Sequence, residues 1–223
     1  IFNVVKKEFN IDLNKAKYFA GHSLGEYTAL SCADYLKFSD TLQLLRIRGD
    51  AMQNAVPDGE GGMLAVLGSN IEMIEKILNE NQDSLTAQIA NDNSVGQIVI
   101  SGKNIDLDKL IDILKKKNIK SIKLSVSAPF HCNLMKNATR VMKNEIENTY
   151  FSDGKNTLIS NVTSKPISDK NELKKLLIDQ IENRVRWRES VINMINYVVN
   201  HFIEIVPLKV LSGVVKRIDN NVK

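Results

Sequence analysis

Residues 15–33 read KAKYFAGHSLGEYTALSCA, and this stretch decides the fold. Lys15 to Ala20 is short and apolar enough for a buried strand. Leu24 to Ala33 is small and apolar in a way that fits a helix. Between them stands Gly21-His22-Ser23-Leu24-Gly25, a Gly-x-Ser-x-Gly pentapeptide. A sharp strand-to-helix turn lifts a serine hydroxyl above a sheet, and small neighbours prevent a clash. The helix N-terminus then turns backbone N–H groups toward a developing oxyanion. Chance places such a pentapeptide in a chain of this length with a probability of about 0.04. The competing reading is a Gly-rich turn in which Ser23 merely caps a helix.

Outward from that turn, the pattern alternates between strands and helices. Ser39 is an expected N-cap, with Asp40 in the first turn, for a helix running to about Ala55 with Leu42, Leu45 and Met52 inward. Pro57-Asp58-Gly59-Glu60-Gly61-Gly62 is the clearest loop signal. Beyond it, Met63–Leu67 reads as a strand and Ile71–Leu78 as a helix. Thr86–Ala90 and Gln97–Ser101 read as strands around an Asn91–Ser94 loop. Ile105–Lys117 reads as a helix and Ile119–Val126 as a strand. That order is β-α-β-β-α-β, the ferredoxin-like pattern. Further on, Asn133–Glu147, Lys170–Ile181, Arg188–Val199 and Lys209–Ile218 read as helices. Thr157–Val162 and Phe202–Val206 read as strands, the second one buried. The expected fold class is therefore α/β: a hydrolase-like large subdomain with a parallel sheet (residues 1–60 and 128–223) and an inserted ferredoxin-like small subdomain (residues 61–127).

Composition narrows the function. The chain has 223 residues, 43% hydrophobic and 25% charged, as in ordinary globular proteins. It holds no apolar run long enough to span a bilayer, and Ile1 to Phe9 do not read as a signal peptide. Two cysteines, Cys32 and Cys132, cannot form a disulfide framework, so a cytoplasmic location is expected. Metal-ligand spacing is missing, so no metal site is expected. Thirty basic against 26 acidic residues give a net charge of +4. That is too mild, and too poor in interleaved aromatics, for a nucleic-acid surface. It suits an acidic protein partner weakly.

A nucleophilic serine needs a base. His22 adjoins Ser23, but its side chain is expected to point away. His201 sits beside an expected buried strand and reads as structural. His131, in Ala128-Pro129-Phe130-His131-Cys132, lies where the insertion returns to the main domain, a place that suits a cleft or a plain surface. Arg46 and Arg48 share the next helix. A helical arginine usually faces solvent; the functional alternative is a bidentate clamp for a carboxylate or phosphate.

Several further stretches follow in order: Arg46-Ile47-Arg48-Gly49, Asn91-Asp92-Asn93-Ser94-Val95-Gly96-Gln97, Ala128-Pro129-Phe130-His131-Cys132-Asn133-Leu134-Met135, Ser160-Asn161-Val162, and Gln180-Ile181 before Val185-Arg186-Trp187. From about Ala20 to the C-terminus, their order and spacing resemble the malonyl-CoA:acyl carrier protein transacylases of bacterial fatty acid synthesis. The resemblance implies that Ser23 is the nucleophile and His131 its base. It implies that Gln180 supplies the carbonyl that orients His131, and that the Leu24 N–H forms half of the oxyanion hole. Arg48 would pair with the malonyl carboxylate. His22, Asn91, Phe130 and Asn161 would line the substrate site. A Phe at the position of Phe130 goes, in the family's relatives, with malonyl over branched methylmalonyl units. The implied partners are malonyl-CoA and acyl carrier protein, with no tightly bound cofactor, nucleic acid or membrane.

The same resemblance sets three further expectations. The chain begins with Ile1 and does not include the family's Gly-Gln-Gly-rich opening segment, whose glutamine supplies the second oxyanion donor. A fragment or processed product is expected, with a loss of about 10²–10³ in rate if that donor is absent. Val206 and Leu208 stand where the family has glycines, and positive φ there would strain them. Two other readings stay open: an α/β-hydrolase or thioesterase using His201 as base, and an inactive truncated remnant that only binds carrier protein.

Overall fold

The computed structural model describes residues 1–9, 11–206 and 209–223. The Gly21–Gly25 turn is flanked as its sequence requires. Strand β1 (Tyr18–Phe19) leads into it and helix α2 (Leu24–Cys32) leaves it. Before β1 lie helix α1 (Phe2–Glu8) and a 3-10 turn at Leu13–Lys15, so the strand expected over Lys15–Ala20 is shorter than its apolar run.

Helix α3 (Phe38–Gln53) buries Thr41, Leu44, Arg48 and Met52, one stripe at helical spacing. Its N-cap is Lys37, not Ser39, whose hydroxyl instead meets the Asp40 carboxylate at 3.1 Å. Leu42 faces solvent and Leu44 takes the inward position, because the buried stripe runs through Thr41, Leu44, Arg48 and Met52 and Leu42 lies off it.

Strand β2 (Gly61–Leu67), helix α4 (Ile71–Glu80), strands β3 (Gln88–Ser94) and β4 (Gln97–Lys103), helix α5 (Asn104–Lys116) and strand β5 (Lys120–Lys123) follow in the expected β-α-β-β-α-β order. The sheet runs β3-β4-β2-β5 and is antiparallel throughout. The Asn70 side chain caps α4 by accepting from the Met73 N–H at 2.9 Å. Ile71, Ile74 and Ile77 of α4, with Leu107, Leu110 and Leu114 of α5, cover the sheet residues Leu64, Val66, Ile98 and Ile100 in one core. Asn91–Ser94, expected as a loop, belongs to β3; the turn is only Val95-Gly96, with Gly96 at φ +73°. Two residues suffice because β3 and β4 pair up to Ser94 opposite Gln97.

The chain then passes through a 3-10 turn at Asn133–Met135 into helix α6 (Lys136–Asn148). Strands β6 (Thr157–Ile159) and β7 (Pro166–Ile167) and helices α7 (Lys170–Asp179), α8 (Trp187–Asn196) and α9 (Val210–Ile218) complete it. The second sheet has the order β1-β6-β7. Its β1–β6 pair is parallel, but β6–β7 is antiparallel, so the fully parallel sheet expected there is corrected to a mixed one. A large core packs around Tyr27, Leu30, Tyr35, Leu44, Met142 and Leu158.

Phe202–Val206 forms no strand and is not buried: Ile203 and Val206 are exposed. Its backbone and side chains serve the chain end instead. The Phe202 N–H donates to the Lys223 carbonyl, and the Glu204 carboxylate accepts from Leu211 and Ser212 N–H at 2.8 Å, capping α9. Val206 has no positive φ. Leu208 lies outside the described residues. Among the described residues, no helix is long and apolar enough to cross a membrane.

The segment between α7 and α8 pairs with the edge of β3. Val185 bridges Asn91 in parallel, with Val185 N–H donating to Ala90 O at 2.8 Å and Asp92 N–H to Val185 O at 3.0 Å. Arg188 closes the same seam on the buried Asp92 carboxylate, Nε to both oxygens at 3.0 Å.

Candidate active site

Ser23 is the N-cap of α2, at φ 53° and ψ −107°, a backbone conformation that a non-glycine residue adopts at a cost. The glycines make the turn possible. A Cβ on Gly21 would lie 2.0 Å from the Gly25 carbonyl oxygen, so the two backbones can cross only without one. Leu24 occupies the first turn of α2, where an N–H has no partner within its own helix.

Four residues distant in sequence converge on this serine. His131 Nε2 lies 2.7 Å from Ser23 Oγ. Its other ring nitrogen, Nδ1, lies 2.8 Å from the Gln180 carbonyl oxygen. A carbonyl only accepts, so Nδ1 carries the proton and Nε2 is the free base that receives the serine O–H. Arg48 Nη2 donates to Ser23 Oγ at 2.9 Å and to Gln180 Oε1 at 3.1 Å. Asn161 Oδ1 accepts the Ser23 N–H at 2.7 Å, while its Nδ2 donates to Gly21 O at 2.8 Å, clasping the turn from both sides.

The electrostatics follow from burial. His131 is 3% exposed and sits beside the Arg48 cation. Desolvation first, and that cation second, lower its pKa to about 3 against the pull of the Gln180 carbonyl. The imidazole is therefore neutral at pH 7, as a base must be. Arg48 is 7% exposed, lies over the Tyr27 ring at 5.5 Å, and leaves its Nε without a partner. A buried guanidinium so placed has a donor to spare for a charged acceptor.

The remaining expected residues divide. His22 points away from Ser23: its Nε2 donates to Asn93 Oδ1 at 2.8 Å, and its ring packs on Trp187. Phe130 is half-buried and packs against both the large core and a small cluster of Met63, Ala90 and Val99. Asn91 is buried within the β3 seam; it is Asn93, two residues on, that bonds His22. Arg46 faces solvent and pairs with Asp50 at 3.0 Å. His201 is exposed rather than structural, since the strand expected beside it does not form. Glu26 and Asn93 were missed by sequence reasoning. Glu26 stands in the Gly-His-Ser-Leu-Gly-Glu string, but a charged residue in the first turn of a helix reads as a solvated one.

Fold and geometry together define a serine–histidine centre able to carry an acyl group as an ester. The acyl transferase domain family matches residues 14–221. The chain is 40% identical over 208 residues to the malonyl CoA-acyl carrier protein transacylase of Bacillus subtilis, covering 92% of this chain and 66% of that one. The crystal structure of an acyl-carrier-protein-S-malonyltransferase from Bartonella henselae superimposes with a TM-score of 0.94 at 40% identity, over 98% of this chain and 70% of that one. A malonyl-transacylase solved in complex with a type II PKS acyl-carrier protein superimposes with a TM-score of 0.92 at 34% identity, over 99% and 71% of the two chains. The chain belongs to the acyl transferase domain family, in its malonyl CoA-acyl carrier protein transacylase branch. It spans about two thirds of the length of the curated relatives it matches.

Proposed function

We propose that this chain carries the site that takes a malonyl group from coenzyme A onto Ser23 and passes it to the phosphopantetheine thiol of acyl carrier protein, in fatty acid synthesis. The observation that carries this reading is the meeting of Arg48 Nη2, His131 Nε2 and Ser23 Oγ within 2.9 Å. An esterase needs the base and the nucleophile. Only an acyl group with its own negative charge needs the buried guanidinium beside them.

Ser23 Oγ attacks the thioester carbonyl while His131 Nε2 takes its proton. The carbonyl electrons move to oxygen, toward the Leu24 N–H. Collapse breaks the C–S bond, and His131 returns the proton to the leaving thiolate. The carrier thiol then gives its proton to His131 and attacks the malonyl ester, and the steps run in reverse. Gln180 holds the imidazole tautomer, Asn161 holds the Ser23 backbone, and Arg48 pairs with the malonyl carboxylate. His22, Asn91 and Phe130 shape the walls. In this reading residues 1–60 with 128–223 form the large subdomain and residues 61–127 the smaller one that covers the site; the backbone pairing of Val185 with Ala90 and Asp92 supports it. No tightly bound cofactor is required, since coenzyme A enters as substrate. A cytoplasmic location accords with the free thiols of Cys32 and Cys132.

The test is intact-mass analysis after incubation with malonyl-CoA, beside acetyl-CoA. A malonyl adduct lost in Ser23→Ala and His131→Ala, kept in His201→Ala, and not matched by acetyl supports the reading. A folded sample that gains no adduct overturns it in favour of the remnant. Dependence on His201 would favour the hydrolase.

A further inference from the structure

Glu26 is the one buried carboxylate at the site, and the transfer chemistry makes no use of it. It is 2% exposed, on the first turn of α2, three residues after the nucleophile. Each carboxylate oxygen takes one N–H. Oε1 accepts from the Asn161 backbone at 3.2 Å, and Oε2 accepts from Gln180 Nε2 at 2.6 Å. Those two donors hold everything else in place. Asn161 grips the Ser23 turn, and Gln180 meets His131 through its main-chain carbonyl and Arg48 through its side-chain oxygen.

The Gln180 side chain has two ends of nearly equal shape and opposite hydrogen-bonding sense. A carboxylate and a carbonyl only accept, so the NH₂ end faces Glu26 Oε2, at 2.6 Å, and the Ser23 carbonyl, at 2.9 Å. The oxygen end is thereby turned to the Arg48 guanidinium, which only donates. Reversal of the amide would set donor against donor at Arg48 and acceptor against acceptor at Glu26. A buried carboxylate is costly even when bonded. Desolvation raises the Glu26 pKa to about 7 despite its bonds to Gln180 and Asn161 and the attraction of Arg48. A neutral side chain could fill the same space at a smaller cost, but it would leave the Ser23 carbonyl as the one remaining acceptor-only partner, among the described residues, of the Gln180 NH₂ group.

We propose that Glu26 is a positioning residue for acyl selectivity: by fixing the orientation of the Gln180 amide, it holds the Arg48 guanidinium where the carboxylate of an incoming acyl group meets it. This rests on the transfer reading of Ser23 given above.

The test compares Ser23 loading from malonyl-CoA and from acetyl-CoA in the unsubstituted chain, in Glu26→Gln, in Gln180→Ala and in the double variant. Glu26→Gln is expected to lower kcat/KM for malonyl-CoA by about 10-fold or more while acetyl-CoA loading changes by less than about 3-fold. Gln180→Ala keeps the main-chain carbonyl on His131 but also removes the Nε2 bond to the Ser23 carbonyl at 2.9 Å, so both loadings are expected to fall, malonyl-CoA by about 10-fold more than acetyl-CoA. In the double variant, Glu26→Gln adds nothing further to the selectivity change, because both act through one amide. Equal losses for the two acyl groups, or selectivity losses that add, overturn the proposal. Where Glu26→Gln does not fold, Gln180→Ala decides alone: a selective loss supports, an unselective loss overturns. Failure of the unsubstituted chain to load malonyl at Ser23 sinks the transfer reading and this proposal together. Normal loading with unselective variants sinks this proposal only.

Discussion

Arg48 Nη2 lies 2.9 Å from Ser23 Oγ, so the cation rests on the nucleophile itself. A carboxylate arriving with the acyl group gives the guanidinium a stronger acceptor than a neutral hydroxyl. Arg48→Ala is expected to lower kcat/KM for malonyl loading by about 10²-fold, the size of a lost charged hydrogen bond. Acetyl loading makes no such contact and falls much less. Parallel rate measurements with the two thioesters check this; equal losses would show that the arginine merely supports the fold.

His131 gives stability a pH dependence of definite sign. Its folded pKa is lowered from 6.5 to about 3, so the unfolded chain binds the extra proton between those values. Its contribution is present above pH 6.5 and is lost as pH falls toward 3. Glu26 acts oppositely, its contribution being present below 4.5 and lost as pH rises through about 7. His131→Asn removes only the first effect. The stability advantage of the unsubstituted chain over His131→Asn should therefore shrink between pH 7 and pH 4.5, read as the difference in urea midpoints. A constant difference would mean that the imidazole titrates normally.

The nucleophile turn tolerates no side chain at its first glycine. Gly21→Ala would press a methyl group to 2.0 Å from the Gly25 oxygen, backbone against backbone. Destabilisation of about 2–4 kcal/mol, with loss of Ser23 labelling, is expected by denaturant unfolding. Gly25→Ala meets nothing within 4 Å and serves as the matched control for packing.

Helix α8 ends on a residue poorly suited to its place. Val198, 84% exposed, has φ 69°, and its neighbours close a Schellman turn: Val199 N–H donates to Met194 O at 3.0 Å. A β-branched residue there is strained, and no buried contact offsets the strain. Val198→Gly should stabilise the chain by about 0.5–1 kcal/mol, seen as a raised Tm, after the added flexibility of the unfolded chain is subtracted. A lowered Tm would show that the turn is not strained.

Local signals were legible where they are self-contained. The pentapeptide at Gly21–Gly25 requires a strand before it and a helix after it, and both are present. The periodicities of residues 61–123 switch between 2 and 3.6 often enough to fix the β-α-β-β-α-β order. Reading failed where a segment's fate depends on a distant partner. Phe202–Val206 has the composition of a buried strand, yet its backbone and Glu204 are taken by the chain end and by α9. Asn91–Ser94 looks like a turn, yet Val185 and β4 draw it into an edge strand. Leu42 is exposed and Leu44 buried because the face of α3 that meets the core is the one bearing Thr41, Leu44, Arg48 and Met52, a choice made by its packing partners and not by its leucines.

The sequence by itself determined the strand–turn–helix setting of Ser23 and the β-α-β-β-α-β order of residues 61–123, because each rests on contacts between near neighbours in the chain. It also carried Arg48 and His131 as candidates, through residue type and order. Only the tertiary structure decided that these two meet one hydroxyl, that Gln180 faces His131 with its backbone and Arg48 with its side chain, and that Glu26 is buried beneath them. Those hydrogen bonds join residues 25 to 132 positions apart. Separations of that size are closed by core packing and by the crossing of Gly21 over Gly25, which no local propensity encodes.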